Sequence, residues 1–155
     1  MSLKTTIDDQ PALLAWAKEK TGAQGWVPDS LAIGVVDEAT GAYKAVAVFN
    51  HFEGHTAAVH FASDGSKRWA TPFILSQLFG YAFFVLQLKR LSGYTPADNH
   101  DALMLAYRLG FVWEGRQRYA GLDGGDLMLT GMIWNECPWL KVGIYAEEEG
   151  DGRQE

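Results

Sequence analysis

The chain has one cysteine, Cys137, so it forms no internal disulfide, and that usage fits a reducing compartment. It has no excess of positive charge: 13 Lys and Arg stand against 19 Asp and Glu, a formal net charge of −6. Residues 146–155 hold five acids and one arginine, so −4 of that charge sits there and about −2 on the body. A nucleic-acid binder needs a basic face, which this balance does not supply. The four histidines and the scattered acids show no metal-ligand spacing such as a His pair one helical turn apart, so no metal is expected. Long apolar runs are missing too. The most apolar stretch, Phe73 to Leu88, is interrupted by Ser76, Gln77, Gly80, Tyr81 and Gln87, and reads as a buried helix rather than a membrane span. Asp8 and Asp9 precede any apolar run, so no signal peptide is read and a cytoplasmic protein is expected. With no internal repeat and no second boundary, residues 1–145 read as a single domain and 146–155 as a solvated acidic tail.

Aromatic residues are plentiful: six Trp, six Tyr and eight Phe. Without surrounding positive charge they read as core rather than as base-stacking platforms. Pro11 to Lys20 reads as a helix, with Asp8 or Asp9 near its start, and Thr21 to Asp29 as a loop. Leu31–Val36, Ala42–Phe49 and Thr56–Ser63 read as three strands of an antiparallel meander, with Val59 and Phe61 on one face of the third and His60 on the other. Thr71-Pro72 is a strong helix start, with Thr as cap and Pro in the first turn, and the helix is expected to run to about Leu88. Leu91 to Thr95 is a short strand, Asp123-Gly124-Gly125 a hairpin turn, and Leu127 to Trp134 the last strand. This order predicts an α+β fold with a mixed central sheet and flanking helices.

Residues 99–116 are the most informative stretch. Asn99 or Asp98 caps a helix; Ala102, Leu105, Ala106 and Leu109 recur at helical spacing; Gly110 ends it and Phe111-Val112-Trp113 reads as a strand. Asn99, Ala102, Gly110-Phe111 and Glu114-Gly115 together resemble the late helix-to-strand segment of the GNAT acyltransferases. The resemblance spans roughly residues 31–140 and is nearest to a divergent branch found in phage and prophage genomes, through a similar Trp-containing loop and a closing segment like Glu136-Cys137-Pro138-Trp139-Leu140. It implies a GNAT fold and acetyl transfer from acetyl-CoA to an amine acceptor, by direct attack in a ternary complex. A GNAT-fold module that has lost its chemistry is the alternative.

The same resemblance implies where the donor sits. Backbone groups of Val59, Phe61 and Ser63 pair with the pantetheine arm, and Asn99 contacts it; a plain N-cap role for Asn99 is compatible with both. The phosphate-binding loop falls at Gly65-Ser66-Lys67-Arg68-Trp69-Ala70 before Thr71. Amides at a helix start hold anions without any particular side chain. Ala70 and the helix start match the family, whereas Arg68 replaces the usual central Gly. Ser66, Lys67, Arg68, Trp69, Ala70 and Thr71 are the candidates, with Lys67 and Arg68 either meeting phosphate or standing as solvated loop cations.

Amine acylation also needs a base and an oxyanion site, and an acid for the leaving thiolate assists it. His60 is the first candidate base, although a strand histidine hydrogen-bonded under a helix gives the same pattern. His51 and Glu53 are weaker candidates, His100 sits in a first turn, and Glu114 is structural or substrate-side. The family's acidic Tyr position is Ala106 here; Tyr107 lies about 100° further round the helix and does not substitute. Cys137, with no His arranged around it, reads as a core thiol. Loop 21–29 and the Gly121–Gly125 hairpin are expected walls of the acceptor site. A homodimer contact through Trp134 and Trp139 is a further, compatible role.

Overall fold

The computed structural model describes residues 2–140; the acidic tail expected at 146–155 lies outside them. The chain runs β1 (Leu3–Thr6), α1 (Gln10–Thr21), β2 (Leu31–Asp37), β3 (Tyr43–Glu53), β4 (Thr56–Ser63), α2 (Pro72–Gly80), β5 (Arg90–Pro96), α3 (His100–Leu109), β6 (Val112–Gln117) and β7 (Leu127–Ile133). The strands form one seven-stranded mixed sheet in the order β1-β2-β3-β4-β5-β7-β6. The expected meander is present: β2, β3 and β4 pair antiparallel in sequence.

β1 is an addition to the reading from sequence. Four residues, half of them threonine, carry too short an alternation to be recognised, and only pairing with β2 makes them a strand. Beyond β1 the edge of β2 is closed by a side chain: Gln10 donates to the Ala32 carbonyl and accepts from the Ala32 amide, both at 2.8 Å. α1 begins at Asp9, whose carboxylate accepts from Ala12 N at 3.2 Å, and it ends at Gly22, whose φ of 73° suits only glycine without cost.

The sheet separates two cores. α1 covers one face, where Leu13 and Ala17 pack on Ala32, Val46, Val48 and Ala62. α2 and α3 lie on the other, over Ile33, Val35, Ala45, Ala47, Phe49, Val59, Leu91 and Met132. Alternation along β3 and β4 sends Val59 and Phe61 to the α2 side and Ala62 to the α1 side, as period-two side chains require. Thr71 caps α2 by accepting from Ile74 N at 3.2 Å.

The helix expected to reach Leu88 stops sooner. After Gly80 it widens into a π turn over Tyr81–Val85, where Leu86 N donates to Tyr81 O. Gln87 then takes a left-handed φ of 57°. Lys89 N and Arg90 N both donate to the His55 carbonyl, at 2.8 and 3.3 Å. Joining the sheet beside β4 therefore overrides the helical preference of Leu86 to Leu88.

Candidate functional site

The site comes from an interrupted strand pair. β4 and β5 run parallel and pair only at Thr56↔Arg90, Ala57↔Leu91 and Ala58↔Ser92. Beyond that point β4 continues to Ser63 against β3 alone, while β5 continues to Pro96 against β7. A cleft of about 880 Å³ opens where they part. Val59, His60, Phe61, Ser63, Ser66, Lys67, Trp69 and Asn99 line it, so most of the residues singled out from sequence meet at one place. Arg68, Ala70 and Thr71 are not on its wall. Arg68 is exposed and does not block the cleft.

The loop after β4 is internally bonded. Gly65 N donates to Ser63 Oγ, Ser66 N to Asp64 Oδ1 and Arg68 N to Ser66 Oγ, all within 3.2 Å. Ala70 N and Thr71 N donate to the carbonyls of Lys67 and Trp69. The cradle of open amides that a glycine-rich loop would offer is therefore largely taken up by the loop's own Ser and Asp side chains. The Lys67 side chain reaches the cleft from this loop. Trp69 is 1% exposed and stacks on Phe61 with ring centroids 6.3 Å apart. Asn99 caps α3, its Oδ1 accepting from Ala102 N at 3.1 Å, which leaves the amide NH2 outside the cap.

His60 has the most developed surroundings. Its Nε2 lies 3.1 Å from Asn50 Oδ1. Asn50, itself 2% exposed, donates from Nδ2 to Ser30 Oγ at 3.2 Å. With that orientation Asn50 offers its oxygen to an Nε2–H, so the imidazole carries its lone pair on Nδ1. The Trp26 ring packs 5.5 Å away, and Trp26 is in turn anchored by donating to Leu14 O at 2.9 Å. Burial, with His51 adding a smaller effect of the same sign, pushes the His60 pKa below its ordinary value. The imidazole is neutral near pH 7, as a proton acceptor must be.

The other candidates separate clearly. His51 lines the cleft, whereas Glu53 and His100 do not. Ala106 faces the cleft and Tyr107 does not, so α3 brings no tyrosine hydroxyl to the cleft from residue 106 or 107. Glu114 is bound to Arg90 outside the cleft. Burial pushes the Cys137 thiol up to about 11, leaving a thiol rather than a nucleophilic thiolate. Thr21, Ala23, Gln24, Gly25, Trp26 and Val27 form one wall, and Leu122 represents the Gly121–Gly125 turn on it. Trp139 turns inward, donating to Leu109 O at 2.7 Å, while Trp134 stays 45% exposed under Lys89. Sequence reading missed Asn50, Gly93, Tyr94 and Thr130, which reach the cleft only through strand register.

No protein-family model and no curated protein sequence matches the chain. Solved structures do. A point variant of the SpeG spermidine N-acetyltransferase from Vibrio cholerae superposes with a TM-score of 0.72 at 13% identity, covering 86% of this chain and 94% of the other. A ribosomal-protein alanine acetyltransferase from Vibrio fischeri gives a TM-score of 0.66 at 15% identity, covering 90% and 96%. With this strand order, the β4–β5 opening and these likenesses, the chain has the fold of the GNAT acetyltransferases.

Proposed function

We propose that this protein is an acetyl-CoA-dependent N-acyltransferase of the divergent phage and prophage type, acting by direct attack in a ternary complex in the cytoplasm. One observation carries the reading: β4 loses its parallel partner after Ala58, so Val59 to Ser63 offer an open strand edge inside a cleft. Such an edge takes up an extended, amide-bearing ligand as it would a strand. The cleft also reaches Ser66 and Lys67, next to the N-terminus of α2, where phosphate charge is favoured. Lys67 supplies the positive side chain there, and Asn99, also on the cleft lining, has amide donors to spare.

The donor brings the acyl group as a thioester. The chain's own task is to position it and to remove a proton from the incoming ammonium. His60 is neutral, fixed by Asn50, and on the cleft wall, so it accepts that proton at Nδ1, directly or through one water. Thiolate departs without an acid at residue 106, because it is a good leaving group at neutral pH. The solved structures with this fold act on acceptors as different as spermidine and a ribosomal-protein alanine, so the acceptor here is defined only as an amine.

The second reading, a catalytically inactive CoA-binding or interaction module, is favoured by two features: Ala106 at the acid position, and loop amides already engaged by Ser63, Asp64 and Ser66. Calorimetric titration with acetyl-CoA, followed by thiol release against a panel of amines, separates the two. Binding with amine-dependent thiol release establishes the enzyme. Binding without release establishes a CoA-binding module, and no binding at millimolar acetyl-CoA removes the enzyme and leaves an interaction module.

A further inference from the structure

Among the described residues, two side-chain polar atoms are buried with no hydrogen-bond partner: Trp69 Nε1 and Thr130 Oγ1. Each residue is 1% exposed. Both line the same cleft. A buried group left unpaired weakens a fold, so native proteins keep few of them, and two on residues that line one cavity point to a ligand that completes them.

Thr130 lies in the middle of β7, opposite Gly93 of β5. It is two residues from Met132, so both side chains stand on the face that α2 and α3 cover. A Cβ at residue 93 would sit 2.5 Å from Thr130 Oγ1. Only glycine at that position leaves room for the hydroxyl. From above, α3 turns Ala102, Leu105, Ala106 and Leu109 to the cleft, one helical stripe with two small members. Trp69 lies at the loop end of the cleft, held by its stack on Phe61. Indole N–H only donates, and the threonine hydroxyl is free to donate. Two buried, unpaired donors suit neutral carbonyl oxygens better than ionised groups, whose desolvation they would not repay.

We propose that Thr130 Oγ1 and Trp69 Nε1 are positioning donors for carbonyl oxygens of the acyl donor's amide-bearing arm, Thr130 from the β5–β7 side and Trp69 from the loop side, with Gly93 keeping the path to Thr130 open. The assignment rests on the acyltransferase reading given above. It makes a prediction of opposite sign for the free and the bound protein. Thr130→Val keeps the shape and removes the orphan hydroxyl. The unliganded variant melts at a higher temperature than the wild type, and its affinity for CoA falls about tenfold, the worth of one lost hydrogen bond. Thr130→Ser restores the affinity, and Trp69→Phe lowers it in the same way. With turnover, KM for the donor rises while kcat holds.

The experiment is calorimetric titration of CoA into the full chain and these variants, with melting curves of each free protein. Wild-type and Thr130→Val proteins of equal CoA affinity overturn the assignment, as does a Thr130→Ser variant no better than Thr130→Val. A wild type that binds no CoA overturns the acyltransferase reading itself, and that result is read on the unsubstituted chain before any variant is compared.

Discussion

Arg90 and Glu114 grip each other across an intervening strand, because Gly131 between them has no side chain. Arg90 is on β5 and Glu114 on β6, and β7 runs between the two. A Cβ on Gly131 would meet both Glu114 oxygens at 2.6 Å and Arg90 Nη2 at 2.7 Å. Arg90 donates from both terminal nitrogens, that from Nη1 at 2.9 Å, and its Nε donates to Ser92 Oγ. The pair staples the three strands that follow the cleft.

The staple has a pH signature. The Arg90 hydrogen bond holds the Glu114 carboxyl below its ordinary range. A depressed carboxylate stabilises the fold fully above the unfolded-state value and loses that contribution as pH falls through the folded value. Glu114 is 38% exposed, so the contribution is limited to about 1 kcal/mol by solvent screening. Glu114→Gln is therefore expected to lower stability by no more than that at pH 7, with the gap closing in acid. Urea unfolding at the two pH values measures it.

With His60 as the proposed base, the rate profile follows its titration. Its pKa is depressed, so the active neutral form persists below the ordinary value of 6.5 and is lost only at more acid pH. The acyl-transfer rate is expected to rise with pH through a midpoint below 6.5. Replacing His60 by Gln should lower kcat about 10²-fold or more and erase that limb. Asn50→Asp puts a carboxylate beside Nε2, favours the charged imidazole and moves the midpoint upward. A midpoint that ignores Asn50→Asp would remove His60 as the base. The same depression makes the fold less stable in acid, since the unfolded chain takes up the proton first as pH drops from 6.5.

Gly34 permits the approach of α1 to the sheet. A Cβ there would lie 2.5 Å from Leu13 Cδ2, and Leu13 is fully buried. Gly34→Ala should cost about 1–3 kcal/mol by overpacking, seen as a lower urea midpoint. Leu13→Ala alone should cost about 2–5 kcal/mol, and the double variant should lose less than the sum of the two, because the clash is between these two residues.

Cys137 should be inert in the native protein. With its thiol near 11 and 8% exposure, iodoacetamide is expected to label it only on unfolding. Cys137→Ser should retain thiol release from the donor. Rapid native labelling coupled to loss of activity would instead point to an acyl-enzyme intermediate on Cys137.

What was legible beforehand was local. The Asn99 cap, the Gly110 stop and the Thr71-Pro72 start all appear where their residue types place them. Leu86 to Leu88 were not legible as a helix end, because the His55 carbonyl that captures residues 89 and 90 comes from a turn more than thirty residues earlier. His60 was visible as a strand histidine on the cleft strand, but Asn50 was not visible as its partner. That contact depends on the β3–β4 register, which sets Asn50 against Ala58 and His60 against Val48. Nor does any spacing announce Thr130, whose meaning lies in the strand beside it.

The sequence by itself determined where the helices start, their caps and the alternation of the meander, since each depends on residues within a turn or two of one another. Tertiary structure alone decided where β4 and β5 part, which hydroxyl and indole were left unpaired, and which side chain His60 meets. Those outcomes belong to pairings between distant strands, and a strand's edge carries no local mark of the neighbour it will gain or lose.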